Sequence, residues 1–464
     1  MNKKIYLTVD LGFGDSGKGT IVDYLAQKTQ AHTVVRFNGG AQAGHRVVMN
    51  DGREHVFSQF GSGTLAGADT FLSRFMLVEP LAMVNEAEHL ESIGVPHPLS
   101  RISIDPQAPI TTPFHRAVNR LKELARGDSR HGSCGMGIGE TMVDLLAYPG
   151  PVIRVGDLSD RNILSNKLRF VQTTNQAKLE MLTGKLPDHP QVKEELDILY
   201  DTSWVDFLAE EYCEIGRQIS IVSEGYLENI LNRDGAVIFE AAQGVLLDEW
   251  YGFHPHTTWS TTTLANAEQL LHEAHYDGAV ERIGISRAYS TRHGAGPLIT
   301  EDEQLTQLLP DACNGDDAWQ ASFRSGWLDL VMLDYAVRVN HLPSDINSIA
   351  LTCLDRLQEL SSIKVCVGYQ IHGQVVRQLP IKKNLRNLQA QEKLTALLRN
   401  AEPILEIVER PTDLLSLVEQ TTNTPISILS NGPTAGDKAF VKHQERKRNR
   451  PIQVLDVSTS IQAA

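Results

Sequence analysis

The sequence predicts an α/β protein in which helices flank a mostly parallel central sheet. Residues 5–11 form a β-rich run, and the glycine-studded residues 12–19 connect it to a segment of helical periodicity that begins at Thr20. Further short apolar runs, each followed by a polar or glycine-rich loop, lie at 33–37, 236–239, 349–352 and 426–429. Such runs are typical of a parallel sheet that is covered on both faces. Ligands of these sheets bind beyond the carboxyl ends of the strands, so the loops after the runs are the candidates for function.

The length of 464 residues is compatible with one large domain, which we expect to span residues 1–464. Residues of about 167–232 are polar, leucine-spaced and poor in glycine, which predicts a helical insertion packed on the sheet. We also expect small subdomains. Residues of about 440–464 form a basic C-terminal extension, and its charged run at 442–450 is interpreted as a solvated tail or helix face.

Composition and charge argue against several classes of protein. Lys and Arg number 43 and Asp and Glu number 57, and the net charge of −14 argues against nucleic-acid or membrane-surface partners. No apolar stretch approaches the roughly 20 residues of a membrane span, and the first residues do not resemble a secretion signal. The five cysteines include no Cys-x-x-Cys pair, which argues against a zinc ribbon. We therefore expect a cytoplasmic protein.

The loop after the first run nearly fits the phosphate-binding pattern G-x-x-x-x-G-K-[ST], which makes the predicted fold P-loop-like. It reads GFGDSGKGT over residues 12–20, with Gly19 where the pattern requires Ser or Thr. Glycines let backbone amides converge on phosphate oxygens, the helix N-terminus adds positive potential, and Lys18 supplies a charge. Asp15 would repel a polyphosphate unless it holds Mg²⁺ or takes a proton; the alternative is a glycine turn with an ordinary surface aspartate. The predicted phosphate-binding residues are Gly14, Ser16, Gly17, Gly19 and Thr20.

A second loop of small residues, GGAQAGH at 39–45, ends in His45. An imidazole at this place could act as an acid or stabilise a phosphoryl group in transfer. A single loop histidine is more often structural, so His45 gains weight only in combination with other motifs.

In combination, these segments resemble adenylosuccinate synthetase. Residues 14–23 (GDSGKGTIVD) and 34–45 (VVRFNGGAQAGH) are similar to the family's GDEGKGKIVD and VVRxxGGxNAGH. Further similar segments follow in the same order along nearly the whole chain: SGTL at 62–65, GMGIG at 135–139, RVGDL at 154–158, EAAQGVLLD at 240–248, AYSTRHGAGP at 288–297, GWLD at 326–329, LTCLD at 351–355 and ISILSNGP at 426–433. Because the order is kept, the combination is specific although each motif alone is weak.

The resemblance implies a ligase that uses GTP to join IMP and L-aspartate, giving adenylosuccinate, GDP and phosphate. A phosphoryl group goes to the purine carbonyl oxygen, and the aspartate amine then displaces it. By this resemblance Asp15 would be the base that deprotonates the purine and would hold Mg²⁺ together with the carbonyl of Gly44. His45 would be the acid, and Lys18 would bind phosphate. The family is also homodimeric, so a homodimer is expected.

The resemblance also assigns the binding residues. Those of the purine monophosphate would be Gln42, Ser133, Cys134, Gln243 and Thr258. The base of the nucleoside triphosphate would lie against Asp355, Ser430 and Gly432, because a carboxylate can accept two hydrogen bonds from a guanine edge. Arg324 would bind the amino acid.

Several positions depart from the family pattern. Ser16 and Thr20 replace Glu and Lys, Gln42 replaces Asn, Ser133 and Cys134 replace two threonines, and Cys353 replaces Lys. Residues 145–151 lack the arginine that the family sends into its partner's pocket, and of the arginines before GWLD only Arg324 is left. An acidic amino acid normally needs bidentate arginines. ATP in place of GTP, another amine, and a modified or deoxy purine monophosphate such as dGMP therefore stay open. A catalytically silent nucleotide-binding regulator and a generic P-loop kinase or GTPase are the remaining alternatives.

Overall fold

The computed structural model describes residues 3–127, 130, 132–182, 186–311, 319, 322–341, 344–382 and 384–441. The strands are β1 Lys4–Asp10, β2 Thr33–Arg36, β3 His45–Val48, β4 Glu54–Phe57, β5 Asp69–Leu72, β6 Ile102–Ile104, β7 Ser220–Ile221, β8 Ala236–Glu240, β9 Val280–Arg287, β10 Ser290–His293, β11 Phe323–Gly326, β12 Leu328–Asp329, β13 Ser348–Thr352, β14 Ile363–Ile371, β15 Gln374–Val376, β16 Glu402–Val408, β17 Ile426–Ser430 and β18 Lys438–Phe440. The helices are α1 Lys18–Thr29, α2 Pro80–Ser92, α3 Pro113–Arg126, α4 Ile138–Ala147, α5 Arg161–Glu180, α6 Pro190–Tyr200, α7 Ser203–Gln218, α8 Tyr226–Asn232, α9 Ala265–Glu273, α10 Glu303–Leu308, α11 Leu330–Asn340, α12 Leu388–Leu398 and α13 Pro411–Thr422.

A ten-stranded sheet occupies the centre of the protein, in the order β18-β17-β13-β9-β1-β8-β2-β5-β6-β7. Every neighbouring pair is parallel except β17 and β18. The prediction of an α/β fold with a mostly parallel, helix-flanked sheet is confirmed. The five apolar runs coincide with β1, β2, β8, β13 and β17 to within one residue at each end. The central strand β9 was not identified, because its sequence VERIGISR carries charged residues and a glycine.

The two faces of the sheet are covered separately. In β1, Ile5, Leu7 and Val9 enter one hydrophobic cluster, together with α9 and α11, whereas Tyr6 enters another with α1. Successive side chains of a strand point to opposite faces, so one apolar strand serves both cores. α1 is thereby fixed against the face of the strand that precedes the glycine loop.

The segment predicted to be a helical insertion contains α5 to α8, although its first helix begins at Arg161 and not near residue 167. α5 buries Leu164, Leu168 and Val171 in a cluster that also contains Leu208 and Tyr212 of α7. Among the described residues, no helix has the length and hydrophobicity of a membrane span. Of the basic C-terminal extension, residues 442–464 lie outside the described residues.

The carboxyl edge of the central strands brings distant residues together. Glu240 of β8 lies in register with Thr8 of β1 on one side and with Arg36 of β2 on the other. The last residue of β1, Asp10, lies beside Ile285 of β9. The glycine loop, the loop that contains His45 and the segment after residue 240 therefore start from adjacent points of one edge.

Candidate active site

The glycine loop between β1 and α1 closes over a buried carboxylate, that of Asp10. The backbone N–H groups of Gly12 and Ser16 donate to it at 2.8 Å and 3.1 Å. Ser16 Oγ donates at 2.8 Å and Lys18 Nζ at 2.7 Å. Lys18 is only 4% exposed and Asp10 is fully buried. The predicted phosphate-binding lysine therefore begins α1 as one half of a buried ion pair.

Three residues of the loop have left-handed backbone conformation: Gly14 at φ 97°, Asp15 at φ 57° and Gly17 at φ 83°. Glycine adopts this conformation freely, and aspartate is one of the few other residues that tolerate it. The chain can thus turn sharply from β1 into α1, whose N-terminus carries positive potential. Thr20 follows in the first turn, where its hydroxyl donates to the carbonyl of Gly17 at 3.3 Å.

Gly19 departs from the phosphate-binding pattern for a packing reason. A Cβ at this position would lie 3.0 Å from His45 Cβ and 3.0 Å from the carbonyl oxygen of Arg46. Serine or threonine would push α1 away from β3. The glycine therefore allows the helix N-terminus to contact the strand that begins with His45.

Gly244 supports the loop from the other side. A Cβ there would lie 2.2 Å from the carbonyl oxygen of Gly12 and 2.3 Å from the backbone nitrogen of Gly14. We expect Gly244→Ala to displace the loop, to cost about 1–3 kcal/mol of stability, and to weaken nucleotide binding. Urea denaturation and titration with nucleotide would measure the two effects. Gly150→Ala, where a Cβ meets nothing within 4 Å, is the matched control. Equal behaviour of the two variants would contradict this close packing.

His45 is held by a carboxylate that was not identified from the sequence. Its Nδ1 lies 2.6 Å from Glu240 Oε1, and both side chains are buried. Ser62 also binds Glu240, through its backbone N–H at 2.9 Å and through a short hydroxyl hydrogen bond. If Nδ1 carries the proton, as its contact with a carboxylate favours, Nε2 is left for chemistry. The sequence signal for Glu240 is its position at the end of an apolar run, as the first residue of the EAAQGVLLD segment.

Burial and neighbouring charges shift the pKa of both partners. Burial is the largest influence on His45 and lowers its pKa to about 4, although Glu240 acts in the opposite direction. For Glu240, burial raises the pKa, but His45 and the buried Arg36 outweigh it and lower the pKa to about 2. At neutral pH the pair is therefore a carboxylate and a neutral imidazole.

The lowered pKa of His45 makes stability depend on pH. Between about 4 and the ordinary value of 6.5, the unfolded chain binds a proton at this residue that the folded protein does not. The free energy of unfolding should therefore fall as the pH is lowered through this window. We expect His45→Asn to flatten that slope, measured as Tm against pH. His97→Asn, at an exposed histidine, should keep the wild-type slope. An unchanged slope in His45→Asn would mean that the folded protein already binds the proton.

Asp15 is the open carboxylate of the site. It is half-buried and makes no hydrogen bond to any described residue. Burial raises its pKa above the ordinary value, while Lys18 and Arg287 oppose this shift. A raised pKa suits a group that takes a proton near neutral pH.

The donor set at the loop fits Mg²⁺. This ion commonly binds one or two carboxylates and completes its shell with waters and substrate phosphates. Asp15 can supply the carboxylate, and the exposed Gly44 beside His45 has a carbonyl for a second protein ligand. Within the described residues, no group of three or more His, Cys, Asp or Glu side chains could hold a metal alone.

The residues predicted to bind the purine monophosphate lie in three loops that contact one another. Gln243 Nε2 donates to Thr258 Oγ1 at 2.9 Å. The loop that contains Gln42 is joined to the segment before Gln243, because Asn38 exchanges two hydrogen bonds with the backbone of Ala242. The Oε1 atoms of both glutamines are buried without a partner among the described residues, so both can accept a hydrogen bond from a ligand.

Ser133 and Cys134 lie between α3 and α4, and both are half-buried. Ser133 Oγ accepts from Asn119 of α3 at 3.1 Å. The nearby start of α4 reaches the loop with Gln42, since a Cβ at Gly40 would lie 2.8 Å from Ile138 Cδ1. Ser133 and Cys134 thus border the predicted purine monophosphate site from the side of α3 and α4.

The three residues predicted to contact the triphosphate base lie together at the ends of β13 and β17. The backbone N–H of Leu354 donates to the carbonyl of Ser430 at 3.1 Å, which places Asp355 near Ser430. Ser430 Oγ donates to the carbonyl of Gly432 at 3.2 Å. Asp355 is half-buried and makes no hydrogen bond to a described residue. Its carboxylate is available to a ligand.

Three further contacts complete this region. Thr352 Oγ1 donates to the carbonyl of Ser16 at 2.8 Å and joins β13 to the glycine loop. Cys353, which replaces the family's lysine, has φ 57° and lies 3.3 Å from Arg287 Nε. Lys438, which was not identified from the sequence, donates to the carbonyl of Gly432 at 3.1 Å. A cation is thus present near Asp355 despite the loss of the lysine at 353.

The guanidinium of Arg324 is already bound to partners within the protein. It forms an ion pair with Glu301 at 2.5 Å and donates to the carbonyls of Gly294 and Gly296 at 2.7 Å and 3.0 Å. To bind an amino-acid carboxylate it would have to exchange these partners. In the predicted arginine-poor loop, residues 316–325, positions 316–318 and 320–321 lie outside the described residues.

Comparison with known proteins identifies one family whose members match nearly the whole chain. The model of the adenylosuccinate synthetase family matches residues 8–438. The adenylosuccinate synthetase of Clostridium botulinum (strain Hall) is 30% identical over 440 residues, covering 92% of this chain and 97% of its own. That of Borrelia recurrentis is 28% identical over 452 residues, covering 95% and 99%.

Two solved structures share the fold. Fully ligated adenylosuccinate synthetase from Plasmodium falciparum superposes with a TM-score of 0.74 at 22% identity, covering 95% of this chain and all of its own. Succinoaminodeoxyadenylate synthetase of cyanophage S-2L, bound to dGMP and to dATP as an energy donor, gives 0.58 at 16% identity, covering 95% and 96%. At these identities the likeness concerns the fold.

Proposed function

The chain belongs to the adenylosuccinate synthetase family of purine-nucleotide ligases, and we propose that it joins the amine of L-aspartate to an IMP-like purine monophosphate. The reaction uses a nucleoside triphosphate, GTP in the family's usual form, and gives adenylosuccinate, GDP and phosphate. The observation that carries the proposal is the convergence of Asp15, Lys18 and the His45–Glu240 pair at one edge of the sheet. Each of these groups has a chemical task in such a reaction.

The purine monophosphate binds against Gln243 and Gln42, whose free Oε1 atoms can accept hydrogen bonds from its hydroxyl or amino groups. Asp15 takes the proton of the purine ring nitrogen, which makes the carbonyl oxygen a better nucleophile toward the γ-phosphoryl group. His45, whose Nδ1–H is held by Glu240, donates through Nε2 to that oxygen or to the phosphoryl group in transfer as an imidazolium, a form that the negative charge of the bound nucleotides stabilises. The amine then attacks the ring carbon and phosphate leaves with the oxygen.

The triphosphate lies on the glycine loop, with its base beside Asp355, Ser430 and Gly432. Lys18 and the amides of Gly17 and Gly19 bind its phosphates. Asp15 and the carbonyl of Gly44 are the protein groups that would hold Mg²⁺, which neutralises charge on the transferring phosphoryl group. By family resemblance we also propose a cytoplasmic homodimer with one large domain.

A second candidate function is ligation to a modified or deoxy purine monophosphate such as dGMP, with ATP as donor. Cys353 in place of lysine changes the surroundings of the triphosphate base, and Arg324 is already paired with Glu301. The cyanophage protein, which binds dGMP and dATP, shares the fold. A different amine is possible within the same chemistry. A silent regulator is disfavoured, because it would not need Asp15, Lys18 and His45 in one place.

The test is phosphate release by the purified protein with Mg²⁺. GTP, ATP and dATP are each combined with IMP, dIMP, GMP and dGMP, with and without aspartate, and products are identified by mass spectrometry. A succinyl-purine product supports the ligase, and the best pair identifies the substrates. Phosphate release that does not depend on aspartate but increases with another amine would mean that the substrate amine is not aspartate. No release from any combination, despite nucleotide binding, would contradict the ligase and favour the regulator.

A further inference from the structure

Asp10, which forms an ion pair with Lys18, has no role in the chemistry described above. Residue 10 precedes the glycine-loop motif, and its carboxylate lies 2.7 Å from the ammonium that a phosphate would otherwise attract. Both side chains are buried, so solvent screens this attraction little. Lys18 is therefore already paired with an internal anion.

The pair also sets the charge of the loop. Residues 10–20 contain two carboxylates, Asp10 and Asp15, and one ammonium, Lys18, which leaves one net negative charge. Arg287, whose charge also lowers the pKa of Asp15, is itself paired with Asp311 at 3.0 Å. A nucleoside triphosphate without metal would carry about four negative charges into this loop, and its Mg²⁺ complex about two.

Asp10 keeps three hydrogen-bond donors when Lys18 moves away from it. The N–H groups of Gly12 and Ser16 and the hydroxyl of Ser16 still donate to it when the lysine moves toward a phosphate. Charged acceptors with two or three such donors remain ionised. Ser16, which stands where the family has glutamate, contributes one of these donors. A glutamate there would instead bring a third carboxylate to the loop.

We propose that Asp10 is a positioning residue that strengthens the dependence of triphosphate binding on a divalent cation, because its negative charge beside Lys18 opposes metal-free nucleotide more than the metal complex. The proposal rests on the proposed function, since it assumes that the glycine loop binds the triphosphate. Metal-free nucleotide is rejected because Asp10 competes for Lys18 and repels the phosphates. The metal complex carries less negative charge and loses less affinity from the same carboxylate.

The experiment is calorimetric titration of the full-length protein with ATP and with GTP, each in Mg²⁺ and in EDTA. For wild type we expect much tighter binding with the metal. In Asp10→Asn the metal-free affinity should rise by about tenfold to a hundredfold, because one buried negative charge near the phosphates is lost. The affinity of the metal complex should change less, so the ratio of the two affinities shrinks. Asp10→Ser removes the same charge with a smaller side chain and replaces Asp10→Asn if that variant does not fold.

Asp23→Asn is the matched control. Asp23 is also a buried aspartate of the α1 unit, but it binds Gln27 at 2.9 Å and not Lys18. Its substitution should leave the metal dependence at the wild-type ratio. If the Asp10 variants also keep that ratio while wild type binds both nucleotides with Mg²⁺, the proposal is overturned and the ligase assignment stands. If wild type binds neither nucleotide with Mg²⁺, the phosphate site itself is wrong and both proposals fail.

Discussion

Asp15→Asn should stop product formation while the protein stays folded and still binds a nucleoside triphosphate. Asparagine tolerates the left-handed backbone at φ 57°, so the loop keeps its shape. Its amide cannot take the proton of the purine ring and is a weaker ligand for Mg²⁺. We expect kcat to fall by about 10²–10⁴ or more, as is typical for loss of a positioned base. Phosphate release with the best substrate pair measures the loss, and calorimetry with the triphosphate measures retained binding.

Asp355→Asn gives the matched contrast for this prediction. Asp355 is also half-buried and makes no hydrogen bond to a described residue, but it lies with Ser430 at the predicted base subsite. Its substitution should raise KM for the triphosphate and change the preference between GTP and ATP. If Asp15→Asn kept kcat within about tenfold of wild type, another residue would be the base.

Glu240→Gln should impair both folding and catalysis. The carboxylate accepts three hydrogen bonds, from His45 and from two donors of Ser62, and it balances the charge of the buried Arg36. Loss of one partner of a buried charge network typically costs about 3–5 kcal/mol. Glutamine would also leave the tautomer of His45 undefined, which in comparable dyads lowers kcat by about 10²–10⁴. Urea denaturation and phosphate release measure the two effects.

Glu86→Gln separates the catalytic effect from the structural one. Glu86 is also buried, and it accepts hydrogen bonds from Ser58, Gln59 and Phe60, just before Ser62 in the chain. It contacts none of the proposed catalytic groups. Its substitution should destabilise the protein but leave kcat of the folded fraction close to wild type. Equal loss of kcat in the two variants would mean that Glu240 acts only through stability.

The sequence predicted those parts of the fold and site that depend on neighbouring residues. The run from β1 through the glycine loop to α1 is a local pattern, and its strand and helix begin within two residues of the predicted positions. Gly19 departs from the phosphate-binding pattern, which requires Ser or Thr at this position. Only its close approach to His45 explains why glycine is needed there. Local patterns cannot supply such distances, because they involve residues far apart in the chain.

The residues missed from the sequence act through contacts of this long-range kind. Asp10 reads as the polar end of an apolar strand, and its role depends on how Lys18 folds back over it. Glu240 and His45 are separated by 195 residues, and only the order of β2, β8 and β1 brings them together. Lys438 lies on a short antiparallel edge strand that carries no strong signal of its own. Strand order was therefore the missing information, and it is set by the packing of the whole chain.

The position of β1 in the sheet also has a consequence for synthesis of the protein. Its partners begin at Ala236 and Val280, so this apolar strand is made long before either neighbour exists. At ~5–20 residues per second, β1 precedes β9 by roughly 15–55 s. Both of its edges are open to other chains until β8 is made, and one edge stays open until β9 is made, which is the situation in which strands aggregate. A fragment that ends before Val280 would carry the entire phosphate loop in its sequence without β9, the second partner of β1, and without β13, whose Thr352 binds the loop. Nascent chains of this protein are therefore expected to depend on chaperones, and truncated ones to be insoluble.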